Sequence, residues 1–189
     1  MPKRNPTSPW NPGNAINISP KDYEKQVVEW LKVAGGTLES FEVEHLTHLS
    51  GPGGDYEFDA VANFTVLNGA KIIILVECKR YSSPVEREKI LALWAKMQDV
   101  KAHKAMMFAT CGFQSGALEY AKIYGIAAIA FVEGTFTYET RSASQSKAPP
   151  PWVNLPNFAG IFMTHDEDTI QCNVIDSKNI DTLKNWLRQ

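Results

Sequence analysis

Cysteine is scarce. Cys78, Cys111 and Cys172 are the three in 189 residues, an odd number without Cys-x-x-Cys spacing, which excludes a disulfide framework and a zinc ribbon and implies reduced thiols with no disulfide partner. Long apolar runs are missing as well. The longest, residues 72–76 and 126–132, fall far short of the roughly 20 residues that cross a bilayer, so no membrane partner is expected. The first twelve residues carry four prolines, Lys3 and Arg4 where a secretory signal would have an apolar stretch, and the expectation is a cytoplasmic protein. Charge of one sign is lacking too: 19 basic and 21 acidic residues leave a net charge of -2, so no global basic surface announces a polyanionic partner. At 44% hydrophobic and 21% charged the chain is too apolar for disorder or a collagenous fibre, and its length suits one main domain with a small appendage.

Residues 1–18, rich in Pro and Asn, read as an extended arm. Ser19-Pro20-Lys21-Asp22 is an N-cap with proline at the first helical position, and the helix runs to Ala34, before Gly35-Gly36. At about 100° per residue, Tyr23, Val27, Val28, Trp30, Leu31 and Ala34 fall on one arc, and Glu24 lies inside it. A carboxylate aimed inward needs a cation or a metal. Residues 41–49, 56–66 and 71–79 read as a meander of three strands, the last two joined by a turn containing Asn68-Gly69. Ser83-Pro84-Val85-Glu86 reads as a second capping box, opening a helix to about His103 with Ile90, Leu93, Trp94 and Met97 buried. On that reading Lys89, Lys96 and His103 share the opposite face. Apolar strands at 105–110 and 126–132, separated by a helix over 115–124, suggest a parallel unit on the buried side of the sheet. The fold class is therefore α/β with order αβββαβαβ and a mixed central sheet flanked by helices. The core spans 19–140, a linker 141–151, and a small C-terminal extension 152–189 that forms a hairpin and a helix packed on the core.

The third strand ends in Glu77-Cys78-Lys79, whose charged members leave the same face. Asp59 lies on the strand before it. A two-residue loop at Asn68-Gly69 would set Asp59 opposite Cys78, whereas a three-residue loop at Leu67-Asn68-Gly69 sets it opposite Glu77; the sequence permits both. Only the second builds a site. Opposed carboxylates repel unless a cation bridges them, and hard oxygen donors suit Mg²⁺ or Mn²⁺. Glu24 would add a third carboxylate, and Lys79 would hold a phosphate oxygen or help deprotonate a water. The plain alternative is a strand-end ion pair. From Lys79 to Lys104 there are seven basic residues against three acidic, a local excess that could steer a polyanion or simply form a solvated face. Cys78, on the other face of its strand, is expected to pack into the core. His45 and His48 are expected to pack or face water.

Asp59 followed eighteen residues later by Glu77-Cys78-Lys79, between two helices, resembles the PD-(D/E)xK nuclease superfamily, and more narrowly its Mrr-like restriction endonuclease group. Gly53-Gly54, Glu77-Cys78-Lys79-Arg80-Tyr81, Ala109-Thr110-Cys111-Gly112-Phe113, Ala117 and Tyr120-Ala121 are similar to that group's pattern over roughly residues 19–132. Phe58 stands where the pattern often has proline. The resemblance implies a restriction-endonuclease-like core. It also implies that Asp59 and Glu77 bind the metal with the Cys78 carbonyl and support from Glu24, while Lys79 acts on the attacking water. Arg80, Lys89, Lys96 and His103 are the candidate nucleic-acid contacts. The expected activity is Mg²⁺-dependent DNA endonuclease action of restriction or defence type, with Mn²⁺ able to substitute. Cleavage of both strands would favour a two-fold homodimer. The rival readings are a catalytically silent DNA-binding or regulatory module and a nuclease for RNA or branched DNA.

Overall fold

The computed structural model describes residues 18–36, 38–66, 69–133, 157–166, 169–175 and 180–189. The expected arm, apart from Ile18, and the 141–151 linker lie outside them. Ser19 opens helix α1 (Pro20–Gly35): its Oγ accepts the Asp22 N–H at 3.1 Å, and Pro20 fills the first turn. Strands β1 (Glu42–Gly51), β2 (Gly54–Val66) and β3 (Ala70–Lys79) form the expected antiparallel meander. Helix α2 (Arg87–Asp99) crosses to β4 (Lys104–Ala109), and α3 (Ser115–Ile123) to β5 (Ala127–Glu133). Both crossovers make parallel pairs, β3 with β4 and β4 with β5.

The C-terminal segment adds β6 (Phe158–Asp166), β7 (Thr169–Ile175) and α4 (Asp181–Arg188). Its hairpin continues the sheet, because β6 pairs antiparallel with β5 and the seven described strands lie in one sheet in sequence order. That places β5 in the interior, and residues 127–132 are buried on both faces. On one face the apolar stripe of α1, Ile180 at the N-cap of α4, and Leu183 and Trp186 within it pack over Ala60, Ala62, Ile74, Val76, Phe108 and Phe131. On the other, Ile90, Leu93 and Met97 of α2 and Ala117, Leu118 and Ala121 of α3 cover Val61, Leu75, Met107 and Ala128.

Helix α2 departs from the expected bounds at both ends. Ser83 does not cap it; the N-cap is Glu86, without a side-chain cap bond. The intervening backbone is used in pairing, since Val85 N–H donates to the Gly112 carbonyl at 3.0 Å and the Val85 carbonyl accepts Gln114 N–H at 2.9 Å. Extended pairing at Val85 excludes helical dihedrals there. The helix also stops before His103. Lys101 adopts a left-handed conformation (φ 54°), and the chain turns so that His103 N–H donates to the Ile73 carbonyl and His103 Nδ1 accepts Ile73 N–H. His103 therefore lies beside β3, not on a helical face with Lys89 and Lys96.

Phe131 ties the layers together. Fully buried, its ring stacks on Phe158 of β6 at 5.3 Å and meets Tyr23, Trp30 and Phe108 edge-on at 5.7–6.1 Å. Four aromatic partners from α1, β4 and β6 cannot all collapse into the space it fills. Phe131→Ala should lower the unfolding free energy by about 3–5 kcal/mol, read as a shift in urea midpoint at constant slope.

Candidate active site

The register of β2 on β3 decides whether Asp59 can meet Glu77. Leu67 and Asn68 lie outside the described residues, but Val66 pairs with Ala70 and Gly69 N–H donates to the Val66 carbonyl at 3.2 Å. The connection is thus three residues long, and one step beyond the Ala60–Val76 pair Asp59 stands beside Glu77. At Asp59 the strand also turns over. Phe58 packs under α2 whereas Ala60, two residues on, packs under α1, and the β1 residue facing this point, Leu46, is left-handed (φ 51°). The regular pairing of β1 with β2 skips that position. Asp59 is thereby freed from a sheet face, and its Oδ2 accepts the Cys78 N–H at 2.5 Å.

Glu77 projects toward α2, where it is 6% exposed. Each of its oxygens carries an ammonium: Lys79 Nζ lies 2.7 Å from Oε2 and Lys96 Nζ 2.6 Å from Oε1. Lys96 reaches in from α2 across the ring of Phe58, 5.4 Å from its centroid. On the other side of Asp59, Glu24 is half-buried and takes His45 Nε2 at 3.1 Å. Around Asp59 and Glu77 there are thus two ammonium groups, from β3 and α2, and one further carboxylate, that of Glu24 on α1, paired with the His45 imidazole of β1.

The two central carboxyls are pushed in opposite directions. Burial raises the Asp59 value, and Glu77 and Glu24 raise it further, outweighing the Cys78 N–H and Lys79. Burial acts upward on Glu77 too, but Lys79 and Lys96 outweigh it and hold the carboxyl below its ordinary range. Burial would lower Lys79, yet Glu77 and Asp59 raise it, so it stays charged. Burial pushes the Cys78 thiol well up, with Asp59 and Glu24 adding to it; it packs against the α1-side core and is no nucleophile. Beside this group sits a polar atom left over. Among the described residues the Tyr23 hydroxyl is buried without a hydrogen-bond partner, and after burial the groups that press its value up are Cys78, Asp59 and Cys111.

The stretch after Lys79 is held from β4. Thr110 N–H donates to the Lys79 carbonyl at 3.1 Å, and the Thr110 hydroxyl and Cys111 thiol both donate to the Tyr81 carbonyl, at 2.9 and 2.8 Å. Gly112 supplies the left-handed turn (φ 71°) that lets its carbonyl reach Val85. At the far end of α2, both Asp99 carboxylate oxygens accept Gly53 N–H, at 2.9 and 3.0 Å. A Cβ on Gly51 would lie 2.6 Å from the Asp99 carbonyl, so the glycines of this hairpin tip let α2 approach the sheet closely enough for Lys96 to reach Glu77.

Of the anticipated residues, the structure brings together Asp59, Glu77 and Lys79, sets Glu24 close enough to act on Asp59, and places Cys78 between them. Arg80 and Lys89 are exposed nearby in sequence, and His103 is at the opposite end of β3. Lys96 is not on a free solvated face, and His45 is paired with Glu24. Lys96 is expected as a nucleic-acid contact on an outer face and His45 as a packing or solvent-facing residue, because a lysine or histidine next to an apolar stripe has no signature of its own; only the length of a lysine stem beside Met97 hints that it can reach inward.

The profile of the restriction endonuclease family, Mrr catalytic type, matches residues 16–135, more than half of the chain. The chain belongs to this family. The match covers α1 through β5 and every residue of the cluster. A crystal structure of a protein of unknown function, AF1548, aligns over 55% of this chain and 55% of its own at 19% identity, with a TM-score of 0.44. The chain thus spans about half of that protein, and a likeness of this degree carries nothing further. No curated protein matches. No helix among the described residues is long and apolar enough to cross a membrane.

Nucleases of this family generally use divalent metals, and the donor chemistry here fits one: two carboxylates stand side by side on adjacent strands, with the Glu24 carboxylate close enough to act on Asp59. Among the described residues no three such side chains converge at coordination distance. The reason is visible, since both oxygens of Glu77 are held by ammonium groups and Glu24 is drawn to His45.

The opposed shifts have opposite consequences for stability. Glu77, lowered in the fold, stabilises above its ordinary range and loses that contribution as pH falls through its lowered value; Asp59, raised, destabilises above its ordinary range and ceases to as it is protonated. Glu77→Gln should therefore cost about 2 kcal/mol at pH 7, less than a fully buried pair because both lysines can turn to water, and the gap to wild type should close toward pH 3. Asp59→Asn, which keeps an acceptor for Cys78 N–H, should stabilise at pH 7, and that gain should also vanish in acid. Urea midpoints measured from pH 3 to 7 check both signs.

Proposed function

We propose that the protein is a cytoplasmic, Mg²⁺-dependent endonuclease that hydrolyses DNA phosphodiester bonds, with Mn²⁺ able to replace Mg²⁺. The observation that carries this reading is the side-by-side placement of Asp59 and Glu77 with Lys79 bonded to Glu77, at the end of a buried strand in a chain of the restriction endonuclease family. A buried carboxylate and a half-buried one set together are costly to the fold, and catalysis is the use that accounts for keeping them.

Asp59, Glu77 and the Cys78 carbonyl would hold the cation, and Glu24 would orient its shell from α1. When bound, the metal offsets charge developing on the scissile phosphate and lowers the pKa of the attacking water. Lys79 contributes a charged donor at the same point. Bonded to Glu77 at 2.7 Å, its ammonium is suited to hold a non-bridging phosphate oxygen and to orient the water or help deprotonate it. Asp59, with one oxygen bonded to Cys78 N–H, keeps its other oxygen free to bind. Arg80, exposed one residue past Lys79, and Lys89, exposed in the first turn of α2, suit contacts to flanking phosphates.

Asp59→Ala and Glu77→Ala should reduce plasmid nicking in Mg²⁺ by more than about 100-fold. Their DNA affinity in chelator should hold or rise, because each removes a negative charge that repels phosphate; at an effective dielectric of about 20, two unit charges 4 Å apart interact by about 4 kcal/mol before screening. Lys79→Ala should keep metal binding, lose cleavage and weaken DNA binding. Nicking gels, anisotropy in chelator and calorimetric Mg²⁺ titration separate these outcomes, with single-stranded, branched and RNA substrates run in parallel. Undiminished nicking by both carboxylate variants would remove the reading. Loss of DNA binding in all three would show that these residues serve the fold of a silent binding module.

A further inference from the structure

The arrangement at Glu77 is a paradox for a metal ligand: neither of its oxygens is free. Lys79 comes from the same strand two residues away and also feels Asp59, so it is bound to the site by its own backbone. Lys96 is different. It belongs to α2, and among the described residues its ion-pair partner is Glu77 Oε1, at 2.6 Å. Its side chain is 32% exposed, so water is within its reach. The Phe58 ring beneath its ammonium provides an apolar and π surface along which the stem can slide without losing its packing.

Lys79 and Lys96 occupy both oxygens of Glu77, so Glu77 can ligate a divalent cation only where one ammonium gives way. Asp59, Glu77 and Glu24 bring three carboxylates against two ammonium groups, and a divalent cation added with both lysines in place would turn that negative excess into a positive one, with cations crowded on the same carboxylate. The ammonium able to leave is that of Lys96, because Lys79 is tethered two residues along β3.

Resting on the nuclease reading above, we propose that Lys96 is a place-holding cation: it neutralises Glu77 until the divalent metal arrives, and the metal then displaces it toward a phosphate of the bound strand. The residue thereby couples metal loading to substrate grip. It keeps a buried glutamate from standing unpaired in the empty enzyme, and it adds a phosphate contact only once the site is armed.

The test uses Lys96→Met, which keeps the stem over Phe58 and removes the charge, Lys96→Gln as a second neutral variant, and Lys96→Arg to restore charge. Thermal unfolding identifies which variants are folded, and Lys96→Gln stands in if Lys96→Met is not. Calorimetric Mn²⁺ titration without DNA should show tighter binding by about tenfold in the neutral variants, equivalent to about 1.4 kcal/mol, and near wild-type affinity in Lys96→Arg. A lysine that merely supports the fold would leave Mn²⁺ affinity unchanged or weaken it, and either result in a folded neutral variant overturns the proposal.

Duplex binding followed by anisotropy against salt gives the second arm, with Ca²⁺ as a hard oxygen-seeking cation. In chelator, wild type and Lys96→Met should share one slope, because Lys96 is engaged with Glu77. In Ca²⁺ the slope of the neutral variant should be shallower by about 0.9, one phosphate contact. Equal slopes in Ca²⁺, or slopes already different in chelator, overturn the proposal. A wild-type protein that binds Mn²⁺ while the neutral variants are unchanged defeats this inference alone; one that binds no divalent metal at all defeats the metal-dependent reading and this inference with it.

Discussion

A carboxylate buried at the end of a central strand is the constraint around which the active end of this molecule is arranged. Glu77 follows five apolar residues of β3 and is 6% exposed, so water cannot solvate its charge, and neutrality has to come from the protein. It comes from two elements at once. Lys79 is carried two residues along the same strand, where the alternation of side chains puts it on the same face, and Lys96 is delivered by α2. The depressed Glu77 value is the electrostatic signature of that double neutralisation.

Each of those deliveries depends on other parts of the fold. Lys96 reaches Glu77 because α2 lies against the sheet through Ile90, Leu93 and Met97 and is tied at its end, through Asp99, to Gly53 of the β1–β2 hairpin. The chain beyond Lys79 is fixed by Thr110, Cys111 and Gly112 at the end of β4, the strand that β3 pairs with in parallel. Parallel pairing aligns the ends of β3 and β4 and so brings the residues after each strand to one place, the geometry common to open α/β sheets. The C-terminal hairpin acts at the other side. By pairing with β5 it converts an apolar edge, open to association with other strands, into an interior strand.

Much of this was legible in the residues. The capping box at Ser19, the apolar arc of α1 and the parallel, continuously apolar β4 and β5 follow from local rules that tertiary structure did not override. The three-residue connection between β2 and β3 was one of two permitted by Leu67-Asn68-Gly69, and pairing across the rest of the hairpin, not the turn itself, selects it. Three features lay beyond local rules. Val85 sits inside a good capping box, yet its backbone bonds to residues 112 and 114, partners no window around residue 85 contains. Lys96 occupies a position that periodicity assigns to solvent, and what draws it in is an unpaired buried charge nineteen residues earlier in the chain. The same holds for His45, which a strand pattern leaves half-buried and which Glu24 then engages. Long-range charge pairing is therefore where a reading by pattern stops, since pattern fixes which face a side chain leaves from but not what stands opposite it.

The opposite displacement of Asp59 and Glu77 follows from the same distribution of charge and bears on how such a site can exist in a stable protein. Had both carboxyls been left without cations, each would rise and take up a proton, and the site would be held together as neutral acids unable to bind a metal near neutral pH. Pairing only Glu77 avoids that outcome asymmetrically. One carboxylate is kept ionised by ammonium groups, while Asp59, held by a single backbone N–H between Glu77 and Glu24, keeps its excess repulsion. That repulsion is a local destabilisation, tolerable because it is small against the apolar burial of two packed sheet faces. It is also what a divalent cation, on the reading proposed above, would remove on binding. A site in which every carboxylate was fully neutralised by lysine would have nothing to gain from a metal, and one with none neutralised would not stay charged; leaving one repulsion unrelieved beside one pair that can be exchanged satisfies both requirements.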